Sequence, residues 1–148
     1  MTQGTTRTID ETQKSRLIMT VLAVCDLKHS THFYKEVFGW TVSLEVPVLV
    51  KFEMPNGHEF MLYQREAFGN NTNQMSEILS SGSISGTELY IHVADLSETI
   101  LRLKALKTRE LSGRAVRSWG DEVAYYADPD GNVLAVAQPL ASSVETMM

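Results

Sequence analysis

The run Glu88-Leu89-Tyr90-Ile91-His92 places a carboxylate, a phenol and an imidazole at alternate positions. Such groups move protons or bind a guest when they share a surface. Leu89, Ile91 and Val93 fill the positions between and after them. If the run is a strand, alternation puts the apolar set on one face and Glu88, Tyr90 and His92 on the other. A lone carboxylate on an otherwise apolar face is a candidate general base for proton abstraction beside a carbonyl. Glu88 is equally suited to a ligand's cationic group or to an ion pair with an arginine. His92 reads as a ligand-contacting or hydrogen-bonded residue, or as an acid–base partner of Glu88. The other histidines have poorer settings, since His29 and His32 fall on a helical segment and His58 follows a turn. Cys25, the only cysteine, ends an apolar run and reads as a small core residue rather than a nucleophile.

The same parity extends the set. With Ile18, Thr20, Leu22 and Val24 packed inward, Met19 lies on the opposite face. With Phe60, Leu62, Leu134 and Val136 inward, so do Met61, Tyr63 and Ala135. Thioethers and phenols together make an adaptable floor for a planar or aromatic guest. The alternative is that they fill a closed core or a subunit contact. Tyr125 and Tyr126 have opposite parity, so only one joins this face. Tyr125 travels with Val123 and Ala127, and strand twist leaves the choice open.

These faces need strands and covering helices. Leu17 to Val24 is short and rich in β-branched residues, a buried-strand pattern. Asp26 stands at a helix N-cap, Leu27, Phe33, Tyr34, Val37 and Phe38 form one helical face, and Gly39 supplies the stop. Strands follow over 40–46, 50–54 and 58–64, with Pro55-Asn56-Gly57 as a turn. The polar stretch from Phe68 to Gly86 reads as a connector with a short helical turn around 75–79. Then the pattern returns: a strand over 88–94, a cap at Asp95, and a helical face of Leu96, Ile100, Leu103 and Leu106. A weak strand near 114–118 and clear ones over 122–127 and 133–138 complete it, the last two joined at Asp128-Pro129-Asp130-Gly131-Asn132.

Val24-Cys25-Asp26-Leu27 matches Val93-Ala94-Asp95-Leu96, and Pro55-Asn56-Gly57 leading to Gln64 matches Pro129-Asp130-Gly131 leading to Gln138. The chain is therefore an internal repeat of strand, helix and three strands, with modules over 17–66 and 87–139 in one domain. A polar N-terminal arm over 1–16 and a tail over 140–148 flank it. The expected class is α+β: two βαβββ modules forming a half-open cup of mixed sheet with helices on the outer face.

With the repeat in hand, the runs VCDLKHSTHFYKEVFGW (24–40), YIHVADL (90–96) and WGDEVAYYADPDGNVLAVAQP (119–139) resemble the vicinal oxygen chelate superfamily. That superfamily includes glyoxalases, bleomycin-resistance proteins and extradiol dioxygenases. Its metal-using members take one ligand from the first and last strand of each module. The matching positions here are Met19, Met61, Glu88 and Ala135. One carboxylate, two thioethers and a methyl do not make a divalent-ion site. The resemblance thus implies a metal-free, cofactor-free binding protein, one that sequesters an antibiotic or aromatic metabolite. It also implies that Trp119 borders the cup and stacks on a ligand. Together with Met19, Met61, Tyr63, Glu88, Tyr90, His92, Tyr125 and Ala135 it makes the expected ligand set. The alternatives are a metal-independent isomerase or lyase using Glu88 as base and, third, a metal-dependent lyase or dioxygenase. Two-module chains of this superfamily often dimerise, so a homodimer is expected.

Charge and hydropathy narrow the partners. Thirteen basic residues against 18 acidic ones give a net charge of −5, which disfavours nucleic acid. No apolar run reaches the roughly 18 residues of a membrane span. A single cysteine suits a reducing cytoplasm, the expected location.

Overall fold

A computed structural model describes residues 7–141. The elements run β1 (Met19–Val24), α1 (Leu27–Phe38), β2 (Thr41–Val46), β3 (Leu49–Glu53), β4 (Glu59–Gln64), α2 (Arg65–Thr72), β5 (Glu88–His92), α3 (Leu96–Ala105), β6 (Arg109–Val116), β7 (Asp121–Ala127) and β8 (Val133–Pro139). They form two four-stranded mixed sheets, ordered β1-β4-β3-β2 and β5-β8-β7-β6. In each, the first strand runs parallel to the last and the other pairs are antiparallel. This is the expected α+β pair of βαβββ modules, with open sheets.

The caps act where the repeat put them. Asp26 accepts from the His29 N–H at 3.0 Å and Asp95 from the Glu98 N–H at 3.1 Å, each satisfying an amide that the first helical turn leaves free. Gly39, at φ 68°, closes α1 in the left-handed region that glycine adopts without penalty.

One apolar core joins the modules through the helix-covered faces of their sheets. The first module contributes aromatics: Tyr34, Phe38, Trp40, Phe52 and Phe60, with the Phe38 and Trp40 rings stacked at 4.9 Å. The second contributes aliphatics such as Leu96, Leu103, Leu134 and Val136. Tyr126 belongs to this core, so Tyr125 is the tyrosine on the open face. Helices α1 and α3 pack on each other.

The β7–β8 turn locks onto α1 at this joint. Asp130 accepts from the Cys25 N–H at 2.9 Å and from Ser30 Oγ at 3.3 Å. Asp128, 5% exposed, accepts from Tyr34 Oη at 2.6 Å, Asn132 N at 2.8 Å, Asp130 N at 2.9 Å and Asn132 Nδ2 at 3.1 Å. Burial pushes the Asp128 carboxyl above its ordinary range, while the bonds from Tyr34 and Asn132 pull it back. Burial, then the Asp128 charge, pushes the Tyr34 phenol well up.

Three local expectations change. Cys25 is exposed rather than in the core, because it lies one residue past the end of β1, where the chain turns towards α1. The helix of the connector is α2 rather than a turn around 75–79, and the first module's expected end at residue 66 falls inside it. Strand β6 is longer than expected, over 109–116. As a polar edge strand with two register shifts against β7, it loses the alternation that marks a strand. A single 3-10 turn over Glu11–Gln13 occupies the arm. Residues 1–6 of that arm and 142–148 of the tail lie outside the described residues.

Candidate functional site

Helices α1 and α3 each cover one face of their own sheet and leave the other face to solvent, apart from the part of the first sheet that α2 reaches. On the second sheet the open face carries Glu88, Tyr90 and His92 from β5, as alternation predicts, with Leu89 and Ile91 packed on the core. Strand β8 lies next to β5 and presents Ala135 beside Tyr90 and Ala137 beside His92. Beyond it β7 presents Tyr125 and Val123. Ala135, Ala137 and Val123 are fully covered and, with Tyr125 against them, form a small second cluster.

The alanines decide what happens above them. Small side chains on β8 let the long ones of β5 lean across towards β7. Tyr90 donates its hydroxyl proton to Asp121 Oδ2 at 2.5 Å, and His92 Nε2 stands 2.9 Å from the same oxygen. Trp119, in the β6–β7 turn, donates its indole N–H to Tyr90 Oη at 2.7 Å. The result is one chain: Trp119 to Tyr90 to Asp121 from one side, His92 to Asp121 from the other. Asp121 is largely enclosed, its side chain 13% exposed, whereas Tyr90 is 42% and Trp119 57% exposed.

The hydrogen bonds from Tyr90 and then His92 hold the Asp121 carboxyl below its ordinary range. Burial and the Asp121 bond push the Tyr90 phenol up. An ionised carboxylate has no proton to give, so the His92 Nε2 carries the hydrogen, and in the neutral imidazole Nδ1 keeps a lone pair. Arg117 stacks over the Tyr125 ring at 5.2 Å, its Nη2 bonded to Ser112 Oγ and to the carbonyls of Gly113 and Val123.

The first sheet's open face has another character. Met19, Val21 and Ala23 line β1, with Met61 and Tyr63 beside them on β4. Lys51 and Glu59 form an ion pair at 3.0 Å on this face. Tyr63 accepts from Asn71 Nδ2 at 3.1 Å, and its ring meets Phe68 edge-on at 6.3 Å, so α2 partly covers it.

Residues 17–141 match the family model of the glyoxalase-like domain. The chain belongs to the glyoxalase-like family. Solved structures agree in fold. A glyoxalase-related enzyme from Fulvimarina pelagi superposes with a TM-score of 0.71 at 23% identity, over 84% of this chain and 88% of that one. A glyoxalase/bleomycin resistance protein/dioxygenase from Nocardioides gives 0.68 at 21%, over 86% and 85%. Lactoylglutathione lyase from Agrobacterium tumefaciens gives 0.63 at 24%, over 84% and 94%. A sequence search of curated proteins found no significant match.

Against this glyoxalase-like frame the four strand positions matched to metal ligands do not fit a divalent ion. Met19 and Met61 offer half-buried thioethers, Ala135 is a covered methyl, and Glu88 alone brings oxygen. Among the described residues no group of three or more His, Cys, Asp and Glu side chains stands close enough to share a metal. No described helix is long and apolar enough to cross a membrane.

The structure brings Tyr90, His92 and Trp119 into one hydrogen-bonded chain, with Ala135 and Tyr125 in the floor below. Met19, Met61 and Tyr63 sit on the other sheet. Glu88 is exposed at the start of β5 and makes no side-chain hydrogen bond or ion pair among the described residues. Asp121, which ties the chain together, is absent from the sequence-derived set, as are Lys51 and Glu59. Parity alone places Asp121 with Val123 and Tyr125, so the signal for its face was present. Its partnership was not, because it depends on reach across β8.

Proposed function

We propose that this glyoxalase-like protein binds a small planar organic molecule on the open face of the second sheet, without a metal ion. The observation that carries this reading is the Trp119–Tyr90–Asp121–His92 chain. It holds two exposed aromatic rings in fixed orientation above a floor of alanine, as a site for a flat guest needs. An antibiotic or an aromatic metabolite is the guest class this surface suits. The test is a calorimetric screen of planar aromatic compounds, antibiotics included, followed through the Trp119 fluorescence. A ligand from that screen should bind at least about tenfold more weakly to Trp119→Ala. A screen without any binder, or a ligand indifferent to Trp119, would sink the reading.

Two clefts, of about 830 and 600 Å³, flank the helix ends; neither is lined by Tyr90, Trp119 or Asp121, and His92 borders the second. A second copy is a natural source of an opposing wall for the open face. A homodimer is the expected state, and light scattering after size exclusion that shows a monomer alone would overturn it.

A second reading has one observation in its favour. The His92–Asp121 pair holds an imidazole with a free Nδ1, which suits proton abstraction in a metal-independent isomerase or lyase. In that case His92→Gln, and not Glu88→Gln, abolishes turnover, because no side-chain hydrogen bond or ion pair among the described residues holds Glu88 in place.

A further inference from the structure

We infer that the guest carries a hydrogen-bond-donating cation on its planar body, an amidinium, guanidinium or protonated aryl amine, and not a carboxylate or phosphate. This rests on the binding reading above and follows from which polar atoms the site leaves unused. The Trp119 indole N–H goes to Tyr90, the Tyr90 hydroxyl proton goes to Asp121, and the His92 Nε2–H goes to Asp121. Every donor of the chain is engaged internally. Two acceptors are left over: Asp121 Oδ1, which takes no hydrogen bond among the described residues, and the lone pair on His92 Nδ1.

A guest with only acceptors would face those lone pairs unpaired, and an anion would face the Asp121 charge as well. A donating cation satisfies them and gains from the exposed faces of Tyr90 and Trp119, whose π-electrons attract positive charge. The open face already shows one such contact, the Arg117 guanidinium over Tyr125. Arg117 is also the group that argues the other way, since it packs against the same face. Its Nη2 is bonded to three protein oxygens and its Nε is buried without a partner, so Nη1 is the donor it could turn to an anion.

The test uses three compounds of one shape and different charge: naphthamidine, naphthamide and naphthoate. Each is titrated calorimetrically into the full-length protein at about pH 8, where imidazole is neutral. Naphthamidine should bind at least about tenfold tighter than naphthamide, and naphthoate weakest of the three. Asp121→Asn should collapse the ratio between naphthamidine and naphthamide to about one, whatever it does to the affinity of both. Equal binding of all three would overturn the charge preference and leave the binding reading intact. A preference for naphthoate would overturn it too and assign recognition to Arg117. Binding by none of them would remove both the reading and this inference. The wild-type series decides the matter even if the variant fails to fold.

Discussion

The two modules repeat one backbone plan and place their polar groups in different surroundings. In the second, Asp128 and Asp130 sit in the β7–β8 turn and grip α1 through Tyr34, Ser30 and the Cys25 amide. In the first, Met54 stands where Asp128 stands in the repeat, and it packs on the core instead. The open faces diverge as well. The first sheet presents thioethers and a self-neutralised Lys51–Glu59 pair, the second a hydrogen-bonded chain ending in exposed aromatics. One module is thus tied by shape, the other by hydrogen bonds, and only a hydrogen-bonded face fixes the orientation of a guest. The scaffold occurs twice, and the hydrogen-bonded chain occurs on one copy.

The difference breaks most visibly at the joint. Asp128→Ala strands a buried tyrosine hydroxyl and three further donors, so it should cost about 3 kcal/mol in urea denaturation. Met54→Ala, at the matching turn, should cost about 2 kcal/mol or less, because Met54 is only partly buried. Equal losses at the two turns would contradict the contrast.

On the open faces the expected effects are smaller and show in binding. Tyr90→Phe removes the hydroxyl that links Trp119 to Asp121 and should weaken a bound ligand about tenfold. Met61→Leu keeps volume and apolar character, and should change affinity by less than about twofold. Calorimetry with one ligand on both variants makes the comparison, and a larger effect at Met61 would move the site to the first sheet.

The smallest effect lies in acid. Asp121 titrates below its ordinary value of 3.8 in the folded chain, so its contribution to stability is complete above that value. It is lost as pH falls from there through the lower folded value. The stability difference between wild type and Asp121→Asn should therefore shrink in acid denaturation below about pH 4. A difference that persists at lower pH would show that the chain does not depend on the charge of Asp121.

Much of this was legible in the residues themselves. Asp26, Asp95 and Gly39 mark helix ends through their own side chains or backbone freedom, and strand parity needs only the order of apolar residues. Helix α2 was not, because Gly69, Asn70 and Asn71 are poor helix formers. It is held from outside, by the Gln64 side chain capping the Ala67 N–H and by Phe68 packing on Tyr63. The exposed Cys25 was misread because an apolar run does not show where the chain turns out of the sheet. Asp121 escaped for a third reason: its partners lie two strands away, and reach across a sheet depends on what lies between.

That intervening strand gives the protein a simple route to a new specificity. The depth above the second sheet is set by the methyls of Ala135 and Ala137, both fully covered. A larger residue at either would raise the floor and crowd Tyr90 or His92 without replacing any residue of the hydrogen-bonded chain. On the proposed reading a lineage could thus exchange a thick guest for a thin one, or close the site altogether, by a codon change at a residue outside the hydrogen-bonded chain.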